Sequence, residues 1–266
     1  MRSRLGDSEA QSRRDAGGTR SRPAVAATLR PAYHEMMQKR TTRQRLGRRS
    51  ANLLLIAGGL TLAFPFWSAA YTHFQQSHLS TDYRHASASF SSTARQQKST
   101  LALLHTPAMR ARRLAALFAR GLKPGDPIGR LIIPHAGINR IVVQGSTGSS
   151  SLSPASDTSY LRGGPVHYGV TPLPGAGEPF AVAGHRTTYS APFYNLNVLR
   201  RGDRIVLDTP YGRFLYSVAR ITTVLPTDTG VLYDRGYALV LTTCTPPYSA
   251  SHRLVVWASA RGFTLK

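Results

Sequence analysis

The sequence predicts a mostly β domain carried behind a single membrane-crossing helix. Three observations support this. From Pro127 onward, short apolar runs rich in Val, Ile and Leu alternate with turn-forming residues. Residues 51–71 contain no charged side chain. The first 50 residues are basic and polar, with no sustained apolar period.

Taken in order, residues 1–50 hold thirteen of the 34 Lys and Arg residues and only four of the 12 acids, Asp7, Glu9, Asp15 and Glu35. Such a segment buries too little apolar surface to offset its chain entropy, so a disordered basic tail is expected. The formal charge of +22 suggests a polyanion partner. A nucleic-acid surface, however, interleaves aromatics with its cations, and Tyr33 is the only aromatic in the tail, so nucleic acid is not expected as a partner.

Residues 51–71, with Leu53-Leu54-Leu55-Ile56 and Leu60-Thr61-Leu62-Ala63-Phe64, reach the roughly 20 residues a helix needs to cross the hydrocarbon core. Trp67 and Tyr71 suit an interfacial belt. Lys39, Arg40, Arg43, Arg45, Arg48 and Arg49 stand just before the run and hold that side in the cytoplasm, with the later residues outside the cell. A cleaved signal peptide is the alternative, but the run is long and no small-x-small cleavage site follows it.

Residues 72–122 read as an extracellular spacer containing one short amphipathic helix over 109–120, with Leu114, Leu117 and Phe118 on one face. Packing on the domain is the plainer reading of that helix and a membrane-surface role the sharper one. Within 123–266, strands are expected at 128–133, 140–144, 180–184, 204–208, 213–223, 238–243 and 253–260, with a weaker one at 166–170. Tyr211-Gly212 is a tight hairpin turn, and brief helical pieces are expected near 156–161 and 192–199.

Three chemically capable residues fall at strand boundaries. Cys244, the single cysteine, ends the run Leu239-Val240-Leu241-Thr242-Thr243. A lone exported thiol has no internal disulfide partner and is either buried or used. His185 follows Phe180-Ala181-Val182-Ala183-Gly184, and Arg253 opens Leu254-Val255-Val256-Trp257. Together they provide a nucleophile, a proton carrier and a cation for a developing oxyanion, the parts of acyl transfer through a thioester. His252, in the same loop as Arg253, is the alternative general acid. His135, His167 and His252 show no metal-ligand spacing and are expected to be solvated. The sparse acidic residues give no calcium site, and no cofactor is expected.

These motifs resemble the sortases, membrane-anchored cysteine transpeptidases of Gram-positive cell surfaces. The likeness covers residues 124–260. It is carried in order by Ile128-Gly129-Arg130-Leu131-Ile132-Ile133-Pro134, Leu173-Pro174-Gly175-Ala176-Gly177, Ala183-Gly184-His185-Arg186-Thr187-Thr188-Tyr189, Leu241-Thr242-Thr243-Cys244-Thr245-Pro246 and Arg253-Leu254-Val255-Val256. The resemblance implies an eight-stranded sortase-type β-barrel over 123–266, with His185, Cys244 and Arg253 catalytic at one end of the sheet. Thr243 and Tyr189 are candidates to line the substrate groove, with a packing role as the equal alternative.

The resemblance further implies cleavage between Thr and Gly of a C-terminal sorting signal on a secreted surface protein, followed by transfer of that protein to an amine of the cell-wall precursor or a pilin. Gly184-His185-Arg186-Thr187-Thr188-Tyr189 with Ala191-Pro192-Phe193 is closest to class E, the housekeeping enzymes associated with Leu-Ala-x-Thr-Gly signals. A class C pilin polymerase is the alternative, favoured by Thr245-Pro246 but lacking an Asp-Pro-Trp or Asp-Pro-Phe lid motif. A cysteine peptidase using water as acceptor is the other.

Overall fold

The computed structural model describes residues 25–146, 152, 158–177 and 179–266. Residues 1–24 of the expected disordered tail lie outside them. The chain divides into two compact units, Met1–Thr61 and Leu62–Lys266. A helix, α1 (Val25–Gln96), runs through the end of the first unit and the start of the second. From Val25 the tail is therefore helical where no structure was expected. Its Ala, Leu, Met, Gln, Lys and Arg residues are good helix formers, and a helix that is already nucleated propagates cheaply through them.

In the first unit the apolar side chains Leu53, Leu54, Leu55, Ile56 and Leu60 are exposed. From Ala51 the helix is long and apolar enough to cross a membrane. In the second unit it continues to Gln96, so much of the expected spacer is helical. A short α2 (Lys98–Ala102) and α3 (Pro107–Ala119) follow. α3 starts two residues before the expected 109, at a cap: the Thr106 hydroxyl accepts a hydrogen bond from the Met109 amide at 3.1 Å, and Pro107 takes the first turn, where its missing N–H costs nothing. Ala111, Leu114, Ala115 and Phe118 are buried, so this helix packs on the domain.

Eight strands then close a barrel in the order β1-β2-β3-β4-β7-β8-β6-β5. They are β1 (Pro127–Ile133), β2 (Ile138–Gln144), β3 (Val166–His167), β4 (Phe180–Ala183), β5 (Arg204–Thr209), β6 (Gly212–Val224), β7 (Leu239–Thr245) and β8 (His252–Leu265). Most pairs are antiparallel, but β2 pairs with β3 and β4 with β7 in parallel. Each expected strand is present. The weak one near 166–170 shrinks to two residues because its chain turns away after His167. The helical pieces appear as α4 (Thr158–Leu161) and a 3-10 turn at Tyr194–Val198.

Strand alternation divides the apolar residues between two layers. Phe180, Val182, Leu239, Leu241, Leu254, Val256 and Ala258 point into the barrel with Leu131, Ile205, Phe214 and Val218. Ala181, Ala183, Val240, Val255 and Trp257 point outward, under Tyr168, Leu152, Leu161, Val231 and Leu232. The outer layer, on the β4, β7 and β8 side, is where the chemistry sits.

Candidate active site

Parity places the three expected residues on one face. Ala181 and Ala183 lead to His185, Val240 and Thr242 lead to Cys244, and Val255 and Trp257 stand in phase with Arg253, so all three emerge on the outer face. Register then brings them together. Cys244 and Arg253 are directly opposite in the β7–β8 ladder, where side chains on one face are near neighbours. β4 lies parallel to β7 with Ala183 beside Thr242, so His185 and Cys244 each stand two residues further along adjacent strands. The Gly184 amide extends that ladder by donating to the Thr242 carbonyl at 3.1 Å.

The position before His185 has room only for glycine. A Cβ at Gly184 would lie 2.6 Å from the ring of Phe193, which is fully buried, and the Phe193 amide donates to the His185 carbonyl at 3.1 Å. His185 is half-buried. Burial pushes its imidazole below the ordinary value, and the nearby Arg162 guanidinium pushes in the same direction. Its ring lies 5.3 Å from that of Tyr189, tilted by 34°. Tyr189 thus sits beside the histidine.

Thr243 is positioned differently from expectation. It is 3% exposed, on the inward face, and its hydroxyl donates to the Gly184 carbonyl at 2.8 Å. Alternation forces this, since the neighbour of an outward Cys244 must point inward. Thr243 braces the histidine strand and offers no surface to a substrate.

Arg253 is 5% exposed and oriented by backbone: Nε donates to the Leu152 carbonyl at 3.0 Å, and Nη1 to the carbonyls of Ala250 and His252 at 3.0 and 3.1 Å. Among the described residues its hydrogen-bond partners are carbonyl oxygens, which orient the guanidinium without neutralising its charge. Cys244 is a free, half-buried thiol.

Sequence reasoning missed two neighbours. Tyr168 is buried, shares a 2.7 Å hydrogen bond with Thr242 Oγ1 and donates to the Leu152 carbonyl at 3.3 Å; burial pushes its hydroxyl up to about 12. The Leu152 carbonyl thereby ties Tyr168 to Arg253. Arg186 is buried, with Nη1 on the Cys244 carbonyl at 3.4 Å and Nη2 on Asn197 Oδ1 at 2.8 Å, and burial lowers its pKa. A single sequence signals none of these, because each partner lies far off along the chain.

The other histidines separate. His167, expected to be solvated, is 1% exposed: it bonds Gln144 Oε1 and Thr171 Oγ1 at 3.0 Å each and stacks on Phe180. It occupies a two-residue strand whose neighbours on both sides enclose it. His135 pairs with Asp203 at 2.7 Å on the surface. His252 is exposed and opposite Thr245, one step out of phase with the Cys244–Arg253 pair, which disfavours it as the acid. Among the described residues no group of three or more His, Cys, Asp and Glu side chains could hold a metal ion.

The chain is similar to several known proteins. Residues 131–261 match the family described as the sortase domain. Sortase SrtE1 of Streptomyces coelicolor is 31% identical over 146 residues, covering 51% of this chain and 40% of the relative. Sortase SrtE2 of the same organism is 29% identical over 143 residues, covering 49% and 54%. The chain thus spans about half or less of the length of these curated relatives. The solved sortase E of Streptomyces avermitilis is 33% identical, covering 54% of this chain and 93% of that one, with a TM-score of 0.44.

Proposed function

We propose, from the match of residues 131–261 to the sortase domain and the similarity to class E sortases, that this chain is a sortase-family, membrane-anchored transpeptidase ligating sorting-signal proteins to an envelope amine. The observation that carries the reading is the pairing of Cys244 with Arg253 across β7 and β8, with His185 delivered beside them by the parallel strand β4.

In this reading the Cys244 thiol passes its proton to His185 as the sulfur attacks the threonine carbonyl of a Leu-Ala-x-Thr-Gly signal. Charge gathers on the carbonyl oxygen, next to the Arg253 guanidinium, whose fixed fork needs no reorganisation. His185 gives its proton to the departing glycine amine, so the C–N bond breaks and a thioester remains on Cys244. An amine acceptor then attacks the thioester, His185 takes the proton it sheds, and the thiolate leaves. The lowered imidazole pKa suits the second half, in which a neutral ring must accept a proton. The apolar stretch from Ala51 serves as the anchor, with the basic N-terminus in the cytoplasm and the barrel outside the cell.

The full chain in lipid nanodiscs, given a Leu-Ala-x-Thr-Gly peptide and triglycine, should release the C-terminal fragment and form the ligated product. Cys244→Ala should form neither the product nor a thioester adduct detectable by mass. Cleavage retained in that variant would refute the assignment. Hydrolysis without ligation would identify water as the acceptor instead.

A further inference from the structure

The loop that follows His185 is held by the anchor helix. Tyr189, Ser190 and Ala191 have φ of 50°, 58° and 41°, three successive non-glycine residues in the left-handed region. Such a run is costly and persists only where surrounding contacts over-determine it. Within the loop, the Ala191 amide donates to the Thr188 carbonyl and the Tyr194 amide to the Ala191 carbonyl, both at 2.9 Å; the contacts from outside it come from α1. The Phe64 ring meets Tyr189 edge-on, with centroids 6.4 Å apart, and the Ser190 hydroxyl donates to the Ala69 carbonyl at 3.3 Å. Tyr189 in turn faces the His185 ring on one side and lies beneath the Arg162 guanidinium at 5.8 Å on another.

The same helical face is fastened further along. The Thr72 hydroxyl donates to the Arg162 carbonyl at 3.2 Å. Gln76 donates to the carbonyls of Ile141 and Gly163 and accepts from the Ile141 amide at 2.8 Å. Phe64, Ser68, Thr72 and Gln76 recur every four residues, one stripe of a helix, and Ser68 and Thr72 are buried. Phe66 and Trp67, off that stripe, are 79% and 75% exposed. A flexible tether would need no such polar stripe.

We infer that the anchor helix is a working part of the active site: its Phe64–Gln76 face clamps the loop bearing His185, with Phe64, Tyr189 and Ser190 as positioning residues. This rests on reading His185 as the proton carrier. Of the charged and titratable groups around His185, Arg162 on the segment after α4 acts on its charge and Tyr189 on its own loop lies against its ring, while Arg186 on that loop, Cys244 on β7 and Arg253 on β8 belong to the neighbouring elements. The helix adds no charge there, since Tyr71 and His73, its titratable residues over this stretch, lie exposed. Loosening the clamp therefore acts on His185 through burial, and opening the site to water raises its pKa.

The test uses the full chain in nanodiscs, comparing Phe64→Ala and Ser190→Ala with Phe66→Ala as control. Misplacing a catalytic group by a fraction of an ångström should lower kcat about tenfold in the first two, with KM nearly constant. The pH limb set by His185 should move upward, and diethyl pyrocarbonate should modify His185 severalfold faster, a readout that requires no substrate. The control should match wild type in all three. Unchanged pH limb and modification rate in both clamp variants would overturn the inference, even with a lowered melting temperature, because that pattern marks a merely structural contact. Activity surviving in Cys244→Ala would instead overturn the functional reading, and the clamp's catalytic meaning with it.

Discussion

Gly184 shows how little freedom the site allows a single residue. Any Cβ there meets the buried Phe193 ring, which has no space to retreat. Gly184→Ala is expected to destabilise the fold by about 1–3 kcal/mol, the usual range for overpacking, and to displace His185. Circular dichroism melts and turnover of the same sample should both fall; wild-type turnover would refute the steric argument. Arg253 makes a second case. Its Nε and Nη1 are held by three carbonyls at fixed angles, a geometry that the point charge of lysine does not reproduce. Arg253→Lys should therefore cost about a hundredfold in kcat, the scale of losing an oxyanion donor. Both residues stood in legible motifs. Arg186 and Tyr168 did not, because a buried arginine bonded to Cys244 and Asn197, or a tyrosine bonded across 74 positions to Thr242, leaves no local trace. Thr243 misled for a different reason: its place beside the nucleophile was visible, but which face it occupied depended on the phase of the strand.

At the scale of elements, the strands were legible because each is a short apolar run closed by turn residues, and β7 and β8 also carry the outward phase that aims Cys244 and Arg253. α3 was legible by its 3.6-residue period, but its start was placed two residues late, because the Thr106-Pro107 cap lies outside that period. Thr106→Ala removes the acceptor for the Met109 amide and should cost about 1 kcal/mol, seen as faster hydrogen exchange in the first turn of α3 with little change in β7 or β8. The course of α1 beyond Tyr71 was not legible. Its barrel-facing stripe opens with the polar Ser68, Thr72 and Gln76, bonded to Ile141, Arg162 and Gly163, and continues through Leu79, Tyr83, Phe90 and Ala94, an apolar period too diluted by Ser, Gln and His between them to stand out. A segment that looked like a spacer by composition is an element by packing.

For the molecule as a whole, acid should be the weak direction, and His167 sets where weakness begins. Burial pushes its pKa down from 6.5 to about 3, while in the unfolded chain the ring titrates normally. A group whose folded pKa is depressed contributes stability that is complete above its unfolded pKa and is lost as pH falls toward the folded one, because the unfolded state takes up the proton first. Stability should therefore fall from about pH 6.5 downward, by up to about 1.4 kcal/mol per pH unit for one proton. His185 adds to this in the same direction. Asp203 and Asp208, both held below their ordinary values by hydrogen bonds and neighbouring cations, act only at lower pH, within the carboxylate range. His167→Gln keeps a polar group of similar reach toward Gln144 and Thr171 but has no proton to gain. Melting temperatures of the full chain in detergent, measured from pH 7.5 to 4.5, should decline less steeply in that variant than in wild type. Parallel curves for the two proteins would mean that the barrel's acid sensitivity arises elsewhere, with the carboxylates and the remaining cationic excess.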